Sequence, residues 1–186
     1  EGAATTAPWP IGVVNPGGAG ASLAGAYAYL PTTLAVSPDS AQAVAAAIDG
    51  VGGLHLAWLA SSAQVGTRIF RRRSTDGGRT WSLSPETLFP NEARGRVRSV
   101  SLLRLRSGAI ALFYMRAGPA GDFRPFVRFS EAEGRDWSDP APCVDGPGDF
   151  RVANGRAVQL PDGRIVLPVE RRGERSTAFF ALSDDG

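Results

Sequence analysis

Lysine is absent from the 186 residues: all twenty basic side chains are arginine, set against 18 acidic ones for a net charge of +2. The arginines are spread along the chain, which excludes the concentrated basic face that a nucleic-acid backbone requires. A single cysteine, Cys143, excludes an internal disulfide and a structural zinc site, which takes several ligands. Histidine also occurs once. Any Ser-His-Asp triad would have to use His55, yet this residue lies in the alternating run LHLAWL, which reads as a half-buried strand. No apolar run approaches the length of a membrane span. The opening EGAATTAPWP has neither the basic nor the apolar region of a secretory leader and is not expected to be one. No spacing calls for a cofactor or a metal. Asp184, Asp185 and Gly186 resemble a calcium loop only superficially, because the ligand spacing is missing.

What is present points to β-structure. Hydrophobic residues make up 43% and charged residues 20%, a globular balance. TRIFRRRS, SVSLLRL, AIALFYMR, PFVRFS, RIVLPVE and TAFFALS are short, rich in β-branched or aromatic residues, and mostly bounded by turn residues. Helical periodicity is weak. Alanine-rich SAQAVAAAI at 40–48 fits either one helical turn or a strand of small residues.

Two landmarks recur together. GGLHLAWL, SGAIALFY and DGRIVLPV align on Gly53, Gly108 and Gly163, each 55 residues after the last. About twenty residues after each glycine a strand ends in serine, at Ser74, Ser130 and Ser183, and a related turn follows: STDGGRTW, SEAEGRDW and SDDG. This period suits four short strands with their turns, the unit of a β-propeller blade. The fold expected is therefore all-β, a propeller spanning 1–186, with blades at about 30–90 and 91–147 and an incomplete one at 148–186.

The first turn reads Ser-x-Asp-x-Gly-x-Thr-Trp, filled by Ser74, Asp76, Gly78, Thr80 and Trp81. The second keeps Ser130, Gly134 and Trp137, with Ala132 in the place of the aspartate and Asp136 in that of the threonine. A tight hairpin needs torsions that glycine tolerates. A carboxylate can accept hydrogen bonds from the turn's own amides. The tryptophan is expected to fold back and bury a large area, so that Trp81→Ala costs several kcal/mol. Asp76 is therefore assigned a structural role and not a catalytic one.

This pattern resembles the Asp-box, or BNR repeat, of sialidases. RSVSLLRLRSGAIALFYMR, VRFSEAEGRDWSDP and NGRAVQLPDGRIVLPVE look like a bacterial sialidase-like group of six-bladed propellers, over roughly residues 54–186. The resemblance implies about three blades of six, a fragment of a longer propeller or one half whose partner is the remaining half on another chain. It also implies export to the periplasm or medium, and a carbohydrate partner such as a sialoglycoconjugate. Sialidases clamp the substrate carboxylate with three arginines and use a tyrosine–glutamate nucleophile and an aspartate acid/base. In the family's first arginine position this chain has Tyr29, before Leu30 and Pro31. In the aspartate region it has ASSAQVG, with Ser61 and Ser62.

Catalytic residues are therefore left unassigned. The substrate-binding candidates are Arg98, before SVSLLRL, and Arg156 with Asn154 in NGRAVQL, the corresponding region of the next blade. Glu170 is expected to pair with Arg171 or Arg172. Arg71, Arg72 and Arg73 alternate faces, and Phe113 and Tyr114 are expected to pack within the blade. Two functions follow from the resemblance: an exo-acting sialidase-type glycoside hydrolase, or a non-catalytic Asp-box propeller that binds glycan or protein.

Overall fold

The computed structural model describes residues 11–14, 20–23, 41–62, 66–90, 97–153 and 156–183. Within the unit Glu1–Ala35, β1 (Ile11–Val14) pairs antiparallel with β2 (Gly20–Leu23). The unit Val36–Gly186 holds three antiparallel sheets. The first runs β3 (Ala41–Ile48), β4 (Leu54–Ser62), β5 (Gly66–Ser74) and β6 (Glu86–Leu88), in that order. The second repeats it with β7 (Val97–Arg104), β8 (Ile110–Ala117), β9 (Phe123–Ser130) and β10 (Ala141–Pro142). In the third, β11 (Asp149–Arg151) and β12 (Val158–Gln159) share one side of β13 (Ile165–Arg172), and β14 (Thr177–Ser183) takes the other. The alanine-rich stretch at 40–48 is thus a strand. Among the described residues there is no helix, so none that could cross a membrane.

Strand register fixes the repeat. Leu54 faces Ser74, Ile110 faces Ser130 and Ile165 faces Ser183, so each second strand opens opposite the serine that closes the third. Leu54 and Ile110 lie 56 residues apart, Ile110 and Ile165 only 55. This corrects the alignment on Gly53. The hairpin glycines with positive φ are Gly52 (83°), Gly108 (95°) and Gly163 (98°). Each donates its amide to the carbonyl three residues back, on Asp49, Leu105 and Leu160. Gly53 matches Ala109 and Arg164 instead. Sequence alone cannot choose between two adjacent glycines; the torsion can, because only the first needs the left-handed region.

The inner strands share an irregularity. β3 bulges between Gln42 and Ala45 opposite Trp58, and β7 between Arg98 and Val100 opposite Tyr114, with Ser99 at φ 50°. In the third sheet the same place is enlarged. Arg151 faces Glu170 and Val158 faces Val166, so seven residue steps on the inner side match four on β13, which splits the inner strand into β11 and β12. A bulge bends a strand and re-aims its side chains; here one bulge has become a loop.

β8 is buried on both faces, as alternation along a doubly covered strand requires. Ile110, Leu112 and Tyr114 pack with Leu59, Ile69, Leu88 and Val100 of the first interface. Ala111, Phe113 and Met115 pack with Phe123, Phe150, Ile165 and Leu167 of the second. Phe113 and Tyr114 are thus packing residues. We expect Leu112→Ala, at a site with 0% exposure, to destabilise by about 2–5 kcal/mol. Leu83→Ala, at 97% exposure, should be neutral within about 0.5 kcal/mol. Urea denaturation distinguishes the two, and comparable losses would contradict this core.

Candidate functional site

At one end of the sheets lie the inner hairpins and the serine turns. In the first turn Asp76 Oδ1 accepts from the Ser74 hydroxyl (2.8 Å) and the Thr80 amide (2.9 Å), while Oδ2 accepts from the Thr80 hydroxyl (2.6 Å). Ser74 Oγ also accepts from the Gly78 amide at 2.8 Å. The Thr80 hydroxyl, the Thr80 amide and the Ser74 hydroxyl hold the Asp76 carboxyl well below the usual carboxylate range. A carboxylate so held keeps no proton to donate near neutral pH, which fits a structural role. Trp81 donates its indole N–H to Gly78 O at 3.1 Å but is only half-buried, outside both cores. The large burial expected for it is not found, because its ring covers its own turn.

The second turn works differently. Ser130 Oγ still accepts from the Gly134 amide at 2.8 Å, but Ala132 offers no carboxylate. Glu133 takes the left-handed torsion (φ 54°) that Gly77 has in the first turn. Its carboxylate reaches across to the first sheet's hairpin, accepting from the Gly50 amide at 3.2 Å and from Arg104 Nη1 at 2.8 Å. Arg71 donates to Gly134 O, the carbonyl that matches the indole acceptor of the first turn, and Trp137 Nε1 has no partner among the described residues. The Trp137 ring instead meets Phe89 edge-on at 5.9 Å. The second turn has exchanged an internal lock for ties to its neighbour.

Next to Gly50 in the same hairpin lies Asp49. Its Oδ1 accepts from the amides of Gly53 (2.6 Å) and Val51 (3.1 Å), its Oδ2 from Arg73 Nη2 (2.7 Å) and His55 Nε2 (3.2 Å). Burial alone would raise the Asp49 carboxyl, but Arg73, Gly53, His55 and Val51 together outweigh it and hold it well below the usual range. His55 is fully buried rather than half-buried, and burial lowers its pKa despite the Asp49 hydrogen bond. Ligand atoms of Asp49, His55 and Glu133 lie within 4.8 Å of one another. A cation there would have to displace Arg73 and Arg104, so the donor set suits a structural knot better than a metal. Arg71 and Arg73 face this knot, while Arg72 turns to Leu83 O at 3.2 Å, as strand alternation requires.

The opposite end carries the arginines. Arg98 faces Met115 in register, is exposed, and stacks its guanidinium 4.2 Å over the Phe123 ring. In the third sheet the residue at that register is Arg151, which faces Glu170. Arg156 does not correspond to Arg98; it is exposed within the enlarged bulge. Asn154 lies outside the described residues, as does Tyr29. Sequence reading missed Arg151 because the extra bulge residues place it 12 before its hairpin glycine, where Arg98 is 10 before its own. Among the described residues Arg98, Arg151 and Arg156 make no ion pair. The expected pairing of Glu170 is not found there either: Arg172 reaches Asp149 at 3.7 Å and Arg171 reaches Pro147 O at 3.2 Å. Two contacts join the second and third sheets at this end. Ser99 Oγ donates to Val152 O at 2.7 Å, and the Phe123 amide donates to Asp149 Oδ1 at 2.9 Å. Such a surface, cationic and braced from two sheets, can receive an anion.

No family model and no curated protein matches the chain. Solved structures do. The Hadza microbial sialidase Hz136 is similar at a TM-score of 0.64 and 18% identity, over 78% of this chain and 35% of that one. The Trypanosoma rangeli sialidase in complex with sialic acid gives 0.61 at 14% identity, over 95% and 31%. The Penicillium chrysogenum α-L-arabinanase complexed with arabinobiose gives 0.54 at 20% identity, over 72% and 42%. At these identities the likeness shows the fold, a partial β-propeller. The chain spans between 31% and 42% of the length of these three proteins.

We expect Trp137→Ala to destabilise by about 3 kcal/mol and Trp81→Ala by clearly less, the difference including the ~0.5–1.5 kcal/mol of an aromatic pair. Urea midpoints check this, and equal losses would contradict the different roles of the two rings. The Cys143 thiol is pushed up to about 12 by burial. Its reaction with a disulfide reagent at pH 8 should run at least about a hundredfold slower in the folded than in the urea-unfolded protein.

Proposed function

We propose that these blades form the sugar-binding part of a sialidase-type propeller that takes a terminal sialic acid or a related carboxylated sugar, the whole ring acting as an exo-glycosidase. The observation that carries the reading is the placement of Arg98 and Arg151 at one register of neighbouring inner strands, with Arg156 in the bulge beside them. A guanidinium presents a planar fork of N–H donors that matches a carboxylate. Stacking over Phe123 uses the face of the Arg98 guanidinium and leaves that fork available.

One observation favours a second reading, a propeller that binds sugar without turning it over. The segment after LHLAWL offers no acid, and Ser61 Oγ is hydrogen-bonded to Thr67 Oγ1 at 2.7 Å.

A fluorogenic sialoside assay together with calorimetric binding of sialic acid separates the two. Arg98→Ala, Arg151→Ala and Arg156→Ala should each weaken binding by roughly ten- to a hundredfold, as loss of a hydrogen bond to a charged group does. Arg135→Ala, exposed at the opposite end, should leave binding unchanged. Binding with no turnover would select the second reading, and binding indifferent to all three arginines would overturn both.

A further inference from the structure

We propose that His55 makes the clasp between the first and second sheets acid-labile, so that the Glu133–Gly134 turn releases the first sheet's hairpin as the imidazole takes up a proton. The reasons lie in the charges around the ring and in its lack of room for another.

His55 has 1% exposure. Its Nε2–H donates to ionised Asp49, so Nδ1 is the bare nitrogen. On its own strand and the hairpin before it, His55 meets Asp49. From β5, Arg71 and Arg73 both face it, Arg73 bound to Asp49 and Arg71 to Glu86 (Nη2 to Oε2 at 2.5 Å) and Gly134 O. From the second sheet come Glu133 and its partner Arg104. Counted with their partners Glu86 and Arg104, these groups are three arginines and three carboxylates, neutral as a set while the imidazole is neutral. A proton on His55 adds an unbalanced buried charge, which is costly unless water or a counter-charge reaches it.

The place that gives is the turn. Gly134 covers the ring: a Cβ there would collide with the Arg71 guanidinium and come into ordinary contact, 3.5 Å, with His55 Cε1. Glu133 already holds an unfavourable torsion, retained by its bonds to Gly50 and Arg104. Moving this turn outward admits water to the ring.

The sign of the effect follows from linkage. Burial lowers the pKa of His55 in the closed clasp below its ordinary 6.5. The open clasp therefore binds the proton more readily, and the clasp's stability, complete above pH 6.5, is lost as pH falls below it. Opening should rise about fivefold over the first pH unit below 6.5 and approach tenfold per unit beyond it, while the closed form stays unprotonated.

His55 is the sole histidine, so its ring signals in NMR report one site. We expect a titration midpoint below 6.5. Between pH 6.5 and 5.5, amide exchange at Gly50, Gly53 and Gly134, corrected for the intrinsic rate, should accelerate about fivefold relative to Leu112. His55→Gln, which keeps a donor for Asp49, should remove the acceleration. A midpoint at or above 6.5 would overturn the proposal in the unmodified protein, whether or not the variant folds. So would exchange at the three glycines that tracks Leu112.

Discussion

A strand that is apolar on both faces can be buried only between two other layers, and β8 is such a strand. Ile110, Leu112 and Tyr114 look one way and Ala111, Phe113 and Met115 the other. That single requirement places one sheet before the second and one after it. It also explains why the sheets repeat in the same strand order: each presents the next with the face it received from the last. Neighbouring sheets then bring their inner strands together, and every inner strand carries its bulge at the same register.

From this fan the two ends acquire different chemistry. Hairpins and serine turns gather at one end, where the charges are matched: Asp49 with Arg73, Glu133 with Arg104, Arg71 with Glu86. Sheet is tied to sheet there by the Gly50 amide to Glu133 and by Arg71 to Gly134 O, which leaves little for a ligand. At the other end the strand starts carry Arg98 and Arg151 exposed, braced by Ser99 to Val152 and by Phe123 to Asp149. The same residue type is mortar at one end and a candidate anion receptor at the other. The difference is that Arg71, Arg73 and Arg104 are held in ion pairs, whereas Arg98 and Arg151 form none among the described residues.

Much of the fold was legible because strands and tight turns are local. Ser74-x-Asp76-x-Gly78-x-Thr80-Trp81 announces its own hydrogen bonds, all within four residues. Arg71, Arg72 and Arg73 alternate as any strand must. Less legible were features that depend on an inserted residue or on distant partners. Gly52 and Gly53 differ only in torsion. Arg151 was hidden because the bulge that contains Arg156 lengthens the inner strand. His55 was correctly placed on a strand, but its burial depends on Asp49, and the Gly50–Glu133 bond spans 83 residues, a separation with no local signature. Trp81 was overrated for a related reason: both rings are half-buried, but what a ring packs on is decided by its neighbours, and Phe89 and the core are there only for Trp137.

The account stands most directly on charge at the arginine end. Calorimetry comparing N-acetylneuraminic acid with its methyl ester, which keeps the sugar and removes the negative charge, tests it in one experiment. The account predicts that the acid binds, that its affinity falls with added salt, and that the ester binds at least about tenfold more weakly. Equal binding of acid and ester, unaffected by salt, would contradict it.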